Sequence, residues 1–266
     1  MSTQRALIVT MAGTSTRFRA TAGREVLKCL YHEGKMEESL LGFFTGIAQA
    51  HAFNAVRFVG GYQFDELQAA VAMLALGART AGAESACVFN PDFATKGSGY
   101  SLLAGLRNLL RPGRRHNLDE ILFMEGDLAV DRWTLAKVIA EPGDVFTACR
   151  DPITAEKSVA VYQTLRGDLR FIYDPAHHSL TIPEPFCALY NSGQVWKFAD
   201  LARLAAVVER LTAAEEAGTN LVIVEKYFQA GGRAAVHTFD RWINCNTLAD
   251  YHRARALFAA DSLCPR

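Results

Sequence analysis

Between residues 5 and 125, short apolar runs of strand length alternate with stretches of helical period, a pattern that confines the chain to helices packed on a largely parallel sheet. Residues 5–10 (RALIVT), 55–59, 85–89 and 120–124 are the strands of this reading. Their largely apolar character suits buried strands. Residues 36–50, 64–76 and 100–110 have helical spacing, with Leu40, Phe44 and Ile47 on one face of the first. Residues 12–23, punctuated by glycine, read as a loop. Beyond residue 140 the pattern changes: 144–149, 159–164, 169–173 and 186–190 are short β-like runs separated by turns and prolines, as in a mixed or antiparallel extension of the sheet. Helices over 198–216 and 222–229, a strand over 234–239 and a terminal helix over 248–260 complete the reading. No repeat, low-complexity tract or linker interrupts the chain. Residues 1–266 are therefore expected to form one α/β domain, a three-layer sandwich whose mixed, mostly parallel sheet is flanked by helices.

Charge narrows the partners. The 28 Lys and Arg residues balance 28 Asp and Glu without any long basic run, so no footprint is offered to a nucleic-acid backbone or an anionic membrane surface. Arg111, Arg114 and Arg115 flank Pro112 and Gly113 and read as a solvated loop. No stretch reaches the roughly 20 apolar residues of a membrane helix, and the apolar run at 6–9 is too short for a signal peptide. Cys29, Cys87, Cys149, Cys187, Cys245 and Cys264 show no zinc-site spacing and read as small buried hydrophobes in a reducing compartment. A soluble, cytoplasmic protein is the expectation.

Chemistry gathers where strands end. Met11, Ala12, Gly13, Thr14, Ser15 and Thr16 follow the first strand directly. A loop of small residues there exposes backbone N–H groups able to cradle a triphosphate, and Arg17 and Lys28 add fixed positive charge. An ordinary strand-to-helix turn has the same composition, and the segment has neither the Gly-Lys-Ser/Thr of a Walker loop nor GxGxxG. The strand over 120–124 delivers Glu125-Gly126-Asp127 to the carboxyl edge of the sheet, where open α/β folds bind ligands. A carboxylate in that place can hold Mg²⁺, or Mn²⁺, shared with phosphates. The alternative is a helix cap by Asp127 or Asp131 ahead of Trp133.

Together these stretches resemble the nucleotidyltransferases that activate sugar phosphates and small phosphorylated alcohols, whose pattern is a strand, A-G-x-[GS]-x-R-[FM], then P-K-x-L. Ala12, Gly13, Ser15, Arg17 and Phe18 match the first part; Lys28 and Leu30 match the second, with Leu27 in place of the proline. Val59-Gly60-Gly61-Tyr62 is similar to the family's V-x-G-Y, and Met124-Glu125-Gly126-Asp127 to the segment carrying its metal-binding aspartate. Trp242-Ile243-Asn244-Cys245-Asn246-Thr247 with Asp250-Tyr251 is similar to W-I-D-x-x-T-x-x-D-Y, with Asn244 where the aspartate stands. The resemblance implies a Rossmann-like fold of the nucleotide-diphospho-sugar transferase type. Residues 1–140 would be its nucleotide-binding half, 141–247 its acceptor-binding half and 248–260 a C-terminal helix. It further implies Arg17 and Lys28 as catalytic cations, a metal on Asp127 and Asn244, and nucleotide contacts from residues 11–16, Gly61, Asn90, Ser98 and Ser101. Asn90-Pro91-Asp92-Phe93, followed by Ser98 to Leu102, looks more like the phosphocholine and phosphonate cytidylyltransferases than the sugar enzymes, although Gly97-Ser98 replaces the Asn-Asn pair common in the phosphocholine enzymes.

The implied reaction joins CMP from CTP to a small phosphorylated alcohol or phosphonate and releases pyrophosphate. A uridylyl- or thymidylyltransferase for a sugar 1-phosphate would share every phosphate-handling residue. A glycosyltransferase would need D-x-D, whose first position is Glu125 here. A nucleotide-binding regulatory module would have no use for Arg17, Lys28 and Asp127 together. The expected partners are a nucleoside triphosphate and a small phosphorylated acceptor, with a homodimer left open. On the acceptor side Lys157 could reach the phosphate. Tyr162, Tyr173, Phe186, Tyr190 and Trp196, with Asp174 and Glu184, could box a substrate ammonium by cation–π attraction. A solvated lysine and core aromatics are the plainer alternatives. His177-His178 lacks a third ligand and reads as a surface turn.

Overall fold

The computed structural model describes residues 3–77, 84–111, 118–154, 159–172, 181–231 and 233–261. Strand β1 (Arg5–Thr10) runs parallel to β2 (Ala55–Gly60) on one side and to β4 (Glu120–Glu125) on the other. Strand β3 (Glu84–Phe89) extends the parallel set beyond β2. Successive side chains of β1 go to opposite faces, Leu7 and Val9 to one apolar cluster and Ala6 and Ile8 to the other, and all four are fully buried. A strand covered on both sides requires the unbroken apolar run seen in RALIVT, and burying each of Leu7, Ile8 and Val9 stabilises the fold by about 1.5–3 kcal/mol. Helices α2 (Leu40–Ala50), α3 (Phe64–Gly77), α5 (Arg132–Ala140) and α9 (Leu248–Asp261) pack on the Leu7 face. Helices α4 (Ser98–Leu109), α6 (Leu201–Glu209) and α8 (Asn220–Gln229) pack on the Ile8 face. This is the three-layer sandwich expected from the sequence.

The second half continues the same sheet. Strand β9 (Phe186–Phe198) runs antiparallel between β4 and β6 (Val145–Cys149), and β10 (Ala235–Phe239) lies parallel to β6 at the edge. Strands β7 (Ala160–Thr164) and β8 (Leu169–Ile172) form an antiparallel extension on β9. Among the described residues the sheet has nine strands, with β10-β6-β9-β4-β1-β2-β3 as its main path. Strands β5 (Leu128–Val130) and β11 (Trp242–Asn244) pair separately and antiparallel, and that small ribbon sets Asn244 opposite Leu128, next to Asp127.

Several elements differ from the sequence reading, each for a local reason. The loop expected over 12–23 contains helix α1 (Thr16–Ala22), which buries only Phe18 and so shows no apolar stripe. The helix expected over 36–50 starts at Leu40, because Ser39 caps it by accepting from the Gly42 N–H at 3.0 Å, and a 3₁₀ turn precedes it. The helix expected over 198–216 is two helices. Phe198 ends β9, Asp200 caps α6, and Thr212 with Glu215 forms a capping box for α7 (Ala213–Glu216). Strand β9 is far longer than 186–190, since the polar run Asn191-Ser192-Gly193-Gln194 hides its middle, where the pairing with β6 shifts register. Cys29, Cys149 and Cys245 are buried as expected, whereas Cys187 is exposed on β9 and Cys264 lies outside the described residues. No helix among the described residues is long and apolar enough to cross a membrane.

Candidate active site

The carboxyl ends of β1, β2 and β4 meet at one place, and the backbone there is tightly tied. The Gly126 N–H donates to the Thr10 carbonyl at 2.9 Å, the Met11 N–H to the Val59 carbonyl at 2.7 Å and the Tyr62 N–H to the Ala12 carbonyl at 3.3 Å. A Cβ on Gly126 would lie 2.4 Å from the Thr10 oxygen, and one on Gly61 would lie 2.4 Å from Phe93 Cβ. Gly61 therefore lets Phe93 pack closely against it, and it does not line the neighbouring cavity. Gly126→Ala is expected to destabilise the protein by about 1–3 kcal/mol, the range for overpacking a close contact. Chemical unfolding measures it, and an unchanged midpoint would mean that the junction of β1 and β4 yields.

Above this junction opens a cavity of about 230 Å³ lined by Met11, Ala12, Gly13, Ser15, Lys28, Phe93, Lys96, Ser98, Ser101, Glu125 and Asp127 among others. Ser15 sits in left-handed backbone, φ 56°, at the head of α1, and its hydroxyl accepts from the Lys28 N–H at 3.1 Å. A non-glycine residue in that conformation costs about 1–3 kcal/mol and is kept where the surroundings over-determine it. Among the described residues the N–H groups of Gly13, Thr14 and Ser15 have no protein partner, so they are open to a ligand.

At the heart of the cavity the Lys28 ammonium donates to Asp127 Oδ2 at 2.7 Å and to Asn246 Oδ1 at 3.1 Å. The Arg17 guanidinium donates to that same Asn246 oxygen at 3.0 Å. Asn246 Nδ2 donates to Asn244 Oδ1 at 2.5 Å, and Asn244 Nδ2 to Gln194 Oε1 at 3.5 Å. Among the described residues, Asp127 Oδ1 is buried without a hydrogen-bond partner. A bare carboxylate oxygen there suits a hard divalent cation, and the Asn244 oxygen keeps one lone pair for a second contact. Among the described residues no three His, Cys, Asp or Glu side chains come together, so such an ion would take its remaining ligands from phosphates and water.

Glu125 stands on the other side of Gly126 and accepts from Asn220 Nδ2 at 2.6 Å. Burial, with the Asp127 charge adding to it, pushes its carboxyl up to about 7, while Asn220 and Lys28 act in the opposite direction. Burial likewise pushes the Cys29 thiol up to about 12, so this thiol stays protonated and unreactive.

Of the residues expected from the sequence, Met11, Ala12, Gly13, Ser15, Lys28, Ser98, Ser101 and Asp127 line the cavity. Arg17 and Asn244 join it through Asn246. Thr14 and Thr16 hydrogen-bond to each other, 3.0 Å apart, on the exposed side of the loop. Asn90 does not reach the cavity. It is fully buried and spends its amide on Ser101 Oγ at 2.9 Å and the Asp92 N–H at 2.9 Å, so it is the post that shapes the turn. The helix cap is Asp131, which accepts from the Thr134 N–H at 2.8 Å, leaving Asp127 to the cavity. Trp196 belongs to no acceptor box: it is fully buried and stacks on Phe123 with ring centroids 5.2 Å apart, because its strand runs through the sheet centre. Tyr162 donates to Glu184 at 2.9 Å beside Phe186, and Tyr190 to Gln163 at 3.4 Å, on the extension of the sheet. Lys157, Tyr173, Asp174, His177 and His178 lie outside the described residues. Sequence reasoning passed over Lys96, Asn220 and Gln194. Lys96 carried a signal, as a cation just past the Asn90 turn, whereas Asn220 and Gln194 arrive through long-range packing that no local pattern reveals.

Residues 24–258 match a family described as a domain of unknown function, DUF6564. No curated protein matches the sequence. Among solved structures, the chain is similar to the inositol-1-phosphate CTP transferase from T. maritima, with TM-score 0.67 and 15% identity over 100% of this chain and 99% of that one. It is similar to the CTP:phosphocholine cytidylyltransferase from Streptococcus pneumoniae, with TM-score 0.60 and 13% identity over 96% and 99%. It is also similar to a UDP-glucose pyrophosphorylase complexed with UDP-glucose, with TM-score 0.66 and 11% identity over 97% and 99%. At such identities the likeness is one of fold alone.

Proposed function

We propose that this chain, which belongs to the DUF6564 family, is a nucleotidyltransferase that joins CMP from CTP to a small phosphorylated alcohol or phosphonate and releases pyrophosphate. The observation that carries the reading is that Lys28 and Asp127 pair inside the cavity beside the loop that follows β1, with Arg17 tied to Lys28 through the shared Asn246 oxygen. In this reading an acceptor phosphate or phosphonate oxygen attacks the α-phosphorus in line; the new P–O bond forms as the bond to the β-phosphate oxygen breaks, and pyrophosphate leaves. The acceptor oxygen is already ionised at neutral pH, so no general base is required. The task left to the protein is positioning and charge stabilisation.

Each residue has a part in that task. The free N–H groups of Gly13, Thr14 and Ser15 cradle the triphosphate, and Lys28 and Arg17 offset the charge that develops on the departing pyrophosphate. Asp127, with Asn244 beside it, would hold Mg²⁺ or Mn²⁺, which when bound supplies charge neutralisation between phosphates. Lys96, Ser98 and Ser101 border the space for the base. Glu184 and Tyr190 are candidates for the acceptor side, where a carboxylate beside aromatic rings suits a substrate ammonium.

The base preference follows from buried polar groups. Cytosine presents an amine where uracil presents a carbonyl, and leaving one such group unpaired costs about 1–3 kcal/mol. CTP is therefore expected to be favoured over UTP, dTTP and ATP by about 5- to 150-fold in kcat/KM. A panel of these nucleotides against phosphocholine, 2-aminoethylphosphonate and hexose 1-phosphates, read by pyrophosphate release, checks it. Faster turnover of UTP or dTTP with a hexose 1-phosphate would replace the cytidylyl reading by a sugar-nucleotide one.

A further inference from the structure

We infer that Asn246 is a positioning residue, whose side-chain oxygen accepts from Arg17 and Lys28 together and holds the two cations at the spacing that a polyphosphate requires. The inference rests on the nucleotidyl-transfer reading above and adds a residue that belongs to neither the loop nor the metal ligands. Arg17 is exposed, and among the described residues Asn246 is the side-chain partner of its guanidinium, at 3.0 Å. Lys28, 3.1 Å from the same oxygen, is anchored on Asp127 as well. An arginine side chain left in water samples many rotamers, so a single fixed acceptor largely determines where its charge stands.

The orientation of the Asn246 amide is dictated by its neighbours. Neither an ammonium nor a guanidinium can accept, so the oxygen faces both cations and its two lone pairs are used. Nδ2 must then donate, and it does so to Asn244 Oδ1 at 2.5 Å, while Asn244 donates onward to Gln194 Oε1 at 3.5 Å. Gln194 is itself held in left-handed backbone, φ 55°, with its N–H on Ser192 Oγ at 3.1 Å. A row of three amides thus runs from the register shift in β9 to the two cations. A neutral acceptor suits this place, because it orders the charges without cancelling them and leaves them to the phosphates.

Removing the Asn246 side chain does not unmake its support. Asp250 Oδ2 accepts from the backbone N–H of Asn246 at 3.0 Å, from that of Thr247 at 2.8 Å and from the Thr247 hydroxyl at 2.8 Å, so the first turn of α9 stays capped. Calorimetric binding of inorganic tripolyphosphate to the full chain is the test. Asn246→Ala should weaken it about 10-fold, the scale of a hydrogen bond to a charged group. Arg17→Ala should weaken it at least as much, and the double variant by clearly less than the product of the two losses, since both act on Arg17. Asn246→Asp keeps an acceptor but adds a competing charge, so in turnover it should recover most of kcat with a raised KM for nucleotide. Wild-type binding of tripolyphosphate by Asn246→Ala, or losses that multiply fully, would overturn the inference while leaving nucleotidyl transfer intact. A wild-type protein that binds tripolyphosphate but turns over no nucleotide would overturn the transfer reading alone, and one that binds neither would overturn both.

Discussion

Asp127→Ala is expected to lower pyrophosphate release by more than about 10³-fold, the scale of several kcal/mol of charge stabilisation lost at the reacting phosphates. The side chain stands just beyond the end of β4 with one oxygen on Lys28 and the other buried without a partner among the described residues. A buried acceptor left bare by the protein is a liability for the fold and an asset only to a ligand. The same variant should therefore stay folded, since Lys28 keeps the Asn246 oxygen as an acceptor and its side chain is 20% exposed to water. Asp127→Asn separates charge from shape, retaining the bulk while lowering affinity for Mn²⁺ measured by electron paramagnetic resonance. Full activity of Asp127→Ala in excess EDTA would remove Asp127 from the account.

Lys28→Ala and Arg17→Ala should each lose about 10²- to 10³-fold in kcat, as when one preorganised group stabilising developing charge is deleted. Lys28 should show the larger effect. It is tied three ways, through its backbone to Ser15 and through its ammonium to Asp127 and Asn246, and so is fixed before substrate arrives. Arg17 relies on Asn246 alone among the described residues. Lys28→Arg would not restore the rate fully, because the planar fork cannot reproduce a point charge between two oxygens. Steady-state kinetics paired with thermal unfolding distinguishes the roles: a loss confined to stability, with kcat unchanged, would return the segment to an ordinary strand-to-helix turn.

The parallel half of the fold was legible because physics writes it locally. The interior of RALIVT, Ala6 to Val9, must be apolar to be buried on both faces, and the same holds for Ile121 to Met124. The small residues at 11–15 and the acidic end of β4 likewise announce their chemistry by position along the chain. What escaped is set by contacts between distant segments. The ribbon of β5 and β11 is three residues on each side and exists only through its partner, yet it delivers Asn244 to Asp127. The middle of β9 is polar because it changes register there, so a central strand looked like a turn, and Trp196 looked available when it lies in the core. The place of Asn90 in its motif suggests a base contact, whereas its burial makes it a structural post.

The fate of the α-phosphorus tests nucleotidyl transfer most directly. CTP carrying a radioactive α-phosphate, incubated with Mg²⁺ and either phosphocholine or 2-aminoethylphosphonate, should place all of the consumed label in a cytidylyl-linked acceptor and release one unlabelled pyrophosphate for each product formed. Label that stays in CTP with every acceptor and nucleotide tried, or that appears as free CMP without an acceptor adduct, would contradict the account.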